Sequence, residues 1–208
     1  MNPSNAEFPQ KNPFQRFPAA AAFATATGSR DYATHLQALN DYFRVDPYCK
    51  WFRPSYGAIL DGLGAGYGDG RPNAALHTDF CSPLATCPTW SGLKREQRSA
   101  LEPEGIRLWH RLIRALRPDA ILMSVQRKYW GQVEFAAEGP EDTILRCDHA
   151  GLYGVRAKLL AVGPSKPSLL VYGRAAQLPF GFLNGSKKYQ VGVGIKDRLG
   201  LLLRSGTD

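Results

Sequence analysis

The stretch from Gly105 to Val125 limits what this chain can fold into more than any other. Leu108, Leu112, Ile113 and Leu116 recur at helical spacing and predict an amphipathic helix over 105–116. Pro118 ends it, because proline carries no amide hydrogen and excludes the helical conformation from the residue before it. The next residues, Ala120–Val125 (AILMSV), form a continuous apolar run, the signature of a strand buried on both faces. A helix followed at once by such a strand is half of a βαβ unit. Leu169–Tyr172 (LLVY) repeats the buried-strand pattern and runs into GRAAQLPFG, with a last helix predicted from about Ser186 to Arg204. Leu159–Val162 is a further candidate strand. The expected fold is therefore α/β, one domain over residues 1–208, with helices on both sides of a central, mostly parallel sheet in a three-layer αβα arrangement.

Ligands of such sheets sit beyond the carboxyl ends of the strands, which directs attention to loops. From Met1 to Thr27 the chain reads as loop, since Pro3, Pro9, Pro13 and Pro18 rule out a long helix. A short helix is predicted over 31–43, a turn-rich aromatic segment over 44–56, and a glycine-rich loop over 61–70. Asn73–Cys81 (NAALHTDFC) reads as a strand and SPLATCPTW as the loop after it. Three loops then qualify as site-forming: the one at Asn2-Pro3-Ser4, the one after HTDFC, and the one after LLVY.

Charge indicates the partner. Lys and Arg number 26 against 18 Asp and Glu, a net charge of +8, and the basic residues are scattered rather than gathered in a tail. A folded surface with a positive face suits a polyanion, because phosphate contacts release condensed counterions. No apolar run approaches the roughly 18 residues of a membrane span, and the N-terminus has no signal-peptide pattern. The expectation is a cytoplasmic monomer that binds DNA and no membrane. Cys49, Cys81, Cys87 and Cys147 form no C-x-x-C pair and read as reduced thiols. His77, Asp79 and Cys81 alternate on the predicted strand, but that spacing matches no established ligand set, so neither a metal nor any other cofactor is expected.

Taken in order, the three loops resemble the active-site motifs of the uracil-DNA glycosylase superfamily. Asn2-Pro3-Ser4 is similar to the first motif of its mismatch-specific and single-strand-selective branches, where the Asn holds or polarises the attacking water. The family places a Gly and a strand ahead of that motif; here only Met1 precedes Asn2, and the expectation is a start further upstream. NAALHTDFCSPLATCPTW is similar to the strand, Cys and Thr-Pro loop of the four-cysteine branch, with His77, Thr78 or Asp79 where a base-reading Asn stands. YGRAAQLPFGFLNG resembles the second active-site motif, usually His-Pro-Ser and then a Leu that wedges into the duplex; Gly173, Arg174 and Ala175 replace His-Pro-Ser. The likeness spans nearly the whole chain.

What it implies is an enzyme that flips a base out of the stack and hydrolyses its N-glycosidic bond. Asn2 and Asp79 are then the candidate catalytic residues, and Ser4, Phe14, Phe17, His77, Gly173 and Arg174 the candidate base-binding ones. Leu178, Ser82, Lys187 and Lys188 are candidate DNA contacts, Leu178 as the wedge and the lysines as phosphate ligands at a helix start. Small residues in place of the family His suggest room for a bulky base such as hydroxymethylated or glucosylated cytosine, as in defence against phage; uracil or hypoxanthine repair is the alternative. Plainer readings stay open for each: His77 as a hydrogen-bonded strand residue, Asp79 as a turn cap, the phenylalanines as core, Leu178 as a loop anchor, the lysines as a solvated face. A non-catalytic DNA-binding module on the same fold and a metal-dependent nuclease are the competing function classes.

Overall fold

The computed structural model describes residues 53–67, 70–71, 73–83, 86, 88–147, 153–164, 166–174 and 179–205, together with 11, 12, 15 and 41. The chain divides into two compact units, Met1–Cys49 with Gly66–Ile106, and Lys50–Ala65 with Arg107–Asp208.

The second unit holds a four-stranded sheet. Its strands are β3 (Ala120–Val125), β4 (Ala137–Cys147), β5 (Tyr153–Leu160) and β6 (Ser168–Arg174), in the order β3-β6-β5-β4. The two runs singled out by their apolar character, AILMSV and LLVY, are neighbours and parallel, in register from Ala120 beside Leu169 to Val125 beside Arg174. Leu169, Leu170, Val171 and Tyr172 are all buried, as a central strand requires. The start of the pair is tied together: the Ser168 hydroxyl donates to the Pro118 carbonyl at 2.6 Å, the Leu169 amide donates to Asp119 O at 2.9 Å, and Lys166 pairs with the Asp119 carboxylate.

The rest of the sheet corrects the expectation of a mostly parallel one. Among the described residues the sheet is mixed, with β5 antiparallel to both β6 and β4. Short connections explain this: the link from β5 to β6 covers only 161–167, too short for the crossover a parallel neighbour needs. The strand β4 has no counterpart in the sequence reading. It carries Gly139 at φ 81°, Pro140 and several carboxylates, and it lies at the sheet edge, where such residues are tolerated and discourage further pairing.

Two helices of this unit cross through glycine. The first, α1 (Ala58–Leu63), ends at Gly64, whose φ of 73° closes it, so part of the predicted glycine loop is helical. The last, α3 (Gly185–Ser205), meets the predicted helix within a residue at each end. A Cβ at Gly192 would be driven into the Ile59 carbonyl oxygen and stand 2.8 Å from Leu63 N; one at Gly62 would reach 3.0 Å from Val193 N. The backbones touch because both residues lack side chains.

The long helix α2 (Arg95–Leu116) begins well before the predicted Gly105 and contains Pro103. Its start is set by a capping interaction in which the Lys94 amide donates to Gln97 Oε1 at 2.9 Å. Its buried face also differs from the predicted one. Gly105, Trp109, His110 and Ile113 are buried, whereas Leu108 is 44% and Leu116 51% exposed. Trp109, His110 and Phe135 stack at 5.1–6.2 Å, and His110 Nε2 accepts the Glu134 amide at 3.0 Å, which explains why a histidine occupies that face. The Leu116–Pro118 stop is as expected, with Arg117 at φ 46°.

In the first unit regular structure is sparse among the described residues between 66 and 94. Two-residue strands β1 (Ala65–Gly66) and β2 (Asn73–Ala74) form a hairpin closed by the Ala75 amide on Gly66 O at 2.8 Å. The predicted strand over Asn73–Cys81 is not formed beyond Ala74; residues 75–79 have no regular structure. Instead the backbone at Cys81–Ser82 lies against α2, so close that a Cβ on Gly105 would be 2.6 Å from Ser82 N.

Candidate functional site

The parallel pair β3/β6 delivers two carboxyl ends side by side, with Ser124 opposite Gly173 and Val125 opposite Arg174. From β3 the chain enters a 3-10 segment, Arg127–Gln132, on which Arg127 and Lys128 are exposed. Tyr129 is buried there beneath the Lys128 ammonium, 4.5 Å from the ring centre. Trp130 stands edge-on to Tyr172 at 5.0 Å, and its buried indole N–H finds no acceptor among the described residues.

From β6 the chain enters the loop that resembles the second active-site motif. It returns at Pro179 and Phe180, and the geometry there is tight. Phe180 has a φ of 50°, a left-handed conformation that costs a non-glycine residue energy. Its amide donates to Ser124 Oγ at 2.9 Å. Its ring is fully buried, edge-on to Tyr56 at 6.0 Å and 6.5 Å from Phe182.

Gly173 is therefore not an opening toward a ligand. A Cβ there would lie 3.0 Å from Phe180 Cε1 and 3.3 Å from Phe182 Cζ, so the space that a family histidine would occupy is filled by the chain's own aromatic rings. This removes the argument for an enlarged pocket at Gly173, and a histidine at this position would have to displace Phe180.

Lys188 is also corrected as a phosphate ligand. It is 5% exposed, and its ammonium donates to three carbonyls: Pro54 at 2.6 Å, Ser55 at 2.9 Å and Pro179 at 3.2 Å. Those three bonds use its whole donor capacity. Burial pulls its ionisation below the usual lysine range. The inward turn has a signal in the sequence. Lys188, Val191, Gly192 and Ile195 share the i, i+3, i+4, i+7 stripe that α3 buries. Lys187, one residue earlier, is exposed, and its amide is capped by Asn184 Oδ1 at 2.9 Å.

In the first unit His77 and Asp79 are half-buried in the irregular segment that precedes buried Phe80. Since no strand forms, the alternation that would put His77, Asp79 and Cys81 on one face does not apply. Burial pulls the His77 pKa down to about 3, so its imidazole is neutral at pH 7 and can act as a hydrogen-bonding group but not as a cation. Burial likewise raises the Tyr67 phenol. Ser82 is buried against α2 and is not placed to contact a phosphate on the surface. Among the described residues no group of three His, Cys, Asp or Glu side chains converges to hold a metal, and no helix is long and apolar enough to cross a membrane.

Asn2, Ser4, Phe14, Phe17 and Leu178 lie outside the described residues, and Arg174 is described as the last residue of β6. The described residues thus bring together Ser124, Gly173, Phe180 and Lys188 around one turn. Ser124 was not among the sequence candidates, because a serine at a strand end is not distinctive by itself; Phe180, which follows Leu178-Pro179 in the segment similar to the family wedge, is fully buried. Comparisons of the chain with protein-family models, curated proteins and solved structures return no match.

Proposed function

We propose that this protein binds DNA and excises a base by hydrolysing its N-glycosidic bond, on a three-layer framework like that of the uracil-DNA glycosylases. The observation that carries this reading is the parallel pairing of β3 with β6. Their carboxyl ends feed, side by side, the exposed Arg127 and Lys128 and the loop of the second motif. That is where sheets with parallel strands bind ligands, and the net charge of +8 favours a polyanion there. In the proposed reaction Asn2 orients water toward the anomeric carbon, while His77 and Asp79 offer a neutral imidazole and a carboxylate to the base edge. Arg174 holds a phosphate or a base oxygen through its planar fork, Phe14 or Phe17 stacks on the flipped base, and Leu178 fills the vacated stack. Lys187 remains a phosphate contact; Ser82 and Lys188 do not.

A second reading, a non-catalytic DNA-binding module, is favoured by the absence of the family histidine from the segment 173–175. One assay separates the two. The protein is incubated with duplexes carrying uracil, hypoxanthine or modified cytosines in the presence of chelator and then treated with alkali. Strand breaks that need alkali and survive the chelator support base excision. A gel shift without breaks supports the binding module, and breaks that need no alkali and vanish with chelator indicate a nuclease.

A further inference from the structure

The second half of α2 concentrates positive charge and the first half does not. Residues 95–104 carry Arg95 and Arg98 against Glu96, Glu102 and Glu104, whereas residues 105–118 carry Arg107, Arg111, Arg114 and Arg117 and no acidic residue. All four of these arginines are exposed. Arg107, Arg111 and Arg114 fall within about 60° of one another around the helix axis and span about 10 Å along it. Arg111 stands at the centre of the outward face, because Trp109 and Ile113, about 160° from it on either side, are buried. Among the described residues Arg111, Arg114 and Arg117 form no salt bridge, and Asp119, just past the helix, is paired with Lys166. The Arg114 guanidinium lies 5.2 Å from the centre of the Phe135 ring, and the Arg117 stem runs beside Gly163, where a Cβ would be 3.4 Å from its Cδ. Side chains laid down in this way lose less freedom when they bind. The helix dipole accounts for a cation in the last turn, where Arg114 stands, but not for Arg107 and Arg111 further back.

We propose that Arg107, Arg111 and Arg114 form a second contact surface, one that follows the phosphodiester backbone of nucleic acid beyond the carboxyl end of the sheet. The proposal rests on the reading given above in taking nucleic acid as the partner, and not on base excision. His110 Nε2 accepts the amide of Glu134, two residues past the 3-10 segment that carries Arg127 and Lys128, so the stripe lies beside that end of β3. A duplex strand carries a charge about every 3.4 Å of axis, and about 10 Å of helix therefore meets about three phosphates. The planar fork of arginine suits phosphate oxygens better than a point charge does. An anionic lipid surface is the competing polyanion. A helix lying on a membrane turns its apolar stripe toward the lipid; here Arg111 is at the outward centre and Leu108 only at its flank.

The test uses the full chain with Arg111→Gln, with the double variant Arg111→Gln/Arg114→Gln, and with Lys196→Gln, which removes the same charge from an exposed site on α3. Affinity for a duplex oligonucleotide of unmodified bases is titrated over a range of salt concentrations. Binding to vesicles of phosphatidylserine and phosphatidylcholine is measured beside it, and base release on the duplexes of the excision assay. The slope of log affinity against log salt is expected to fall by about one in Arg111→Gln and by about two in the double variant, and to stay unchanged in Lys196→Gln. The single variant keeps the test decisive should the double one, which lifts Arg114 off Phe135, not fold. An unchanged slope in Arg111→Gln overturns the proposal. An equal fall in Lys196→Gln overturns it too, since net charge alone would then be responsible. Vesicle binding that Arg111→Gln weakens, with the oligonucleotide slope unchanged, gives the face to lipid and overturns it as well. A wild type that shows the expected slopes but releases no base leaves this surface standing while the excision reading fails. One that releases base with slopes unmoved by the arginine changes does the reverse.

Discussion

The sheet unit and the segment between residues 66 and 94 solve the same problem by different means. In the sheet, long ladders and helices satisfy the backbone, and the core is a run of strand residues such as Val155, Ala157 and Val171. Among the described residues of the 66–94 segment, regular structure amounts to two short strands and one 3-10 turn, Phe80, Ser82, Thr86 and Leu93 are buried, and the Cys81–Ser82 backbone is laid on Gly105. Both regions depend on a helical glycine at a close approach. Functional residues commonly sit on irregular segments positioned by a regular scaffold.

The largest effect is expected where two helices touch backbone to backbone. Gly192→Ala should destabilise the protein by about 2–3 kcal/mol despite alanine's better helix propensity, because the methyl overlaps the Ile59 carbonyl and neither helix has a side chain that can yield. Chemical denaturation measures this, and a variant as stable as the wild type would show that the crossing is not close. Gly105→Ala should cost about 1–2 kcal/mol by the same overpacking, but its consequence should be local. Alkylation of Cys81, mapped by mass spectrometry, should accelerate while exchange in β5 and β6 stays slow. Equal loosening of both regions would erase the distinction drawn between them.

Acid should then probe the irregular segment. His77 is neutral when folded down to about pH 3, whereas the unfolded chain takes up its proton near 6.5. Below 6.5 the unfolded state binds more protons, so stability that is complete above that pH is lost as the pH falls toward 3. Between pH 6.5 and 5, before most carboxylates titrate, His77→Gln should flatten the slope of stability against pH. An unchanged slope would show that His77 is not the group responsible. The smallest effect is expected at Lys187. Lys187→Ala should leave stability within about 0.5 kcal/mol of wild type. It should lower the slope of log affinity for DNA against log salt by about one, as expected for one lost phosphate contact. An unchanged salt slope would exclude Lys187 from the interface.

Much of the frame was legible because its signals are local. The Pro118 stop, the AILMSV and LLVY strands and the last helix are read from neighbouring residues, and each appears within a residue or two of the expected ends. The candidate site was less legible. Asn73–Cys81 has the alternation of a strand, yet only Asn73–Ala74 pairs in a ladder, and at the far end the Cys81–Ser82 backbone rests on Gly105 of α2. The face of α2 was misjudged because leucines outweighed Gly105 and His110, whose burial depends on the Cys81–Ser82 backbone and on the Glu134 amide.

By itself the sequence determined where apolar runs, prolines and caps begin and end elements, and it determined the positive charge, because composition and nearest neighbours suffice for both. Only the tertiary structure decided the direction of β5 beside β6, the covering of Gly173 by Phe180, and the inward turn of Lys188. Each of those depends on partners brought together by folding. Lys188 reaches the Pro54 carbonyl across 134 residues, and at that separation whether a side chain faces phosphate or a carbonyl is settled by which backbone arrives beside it.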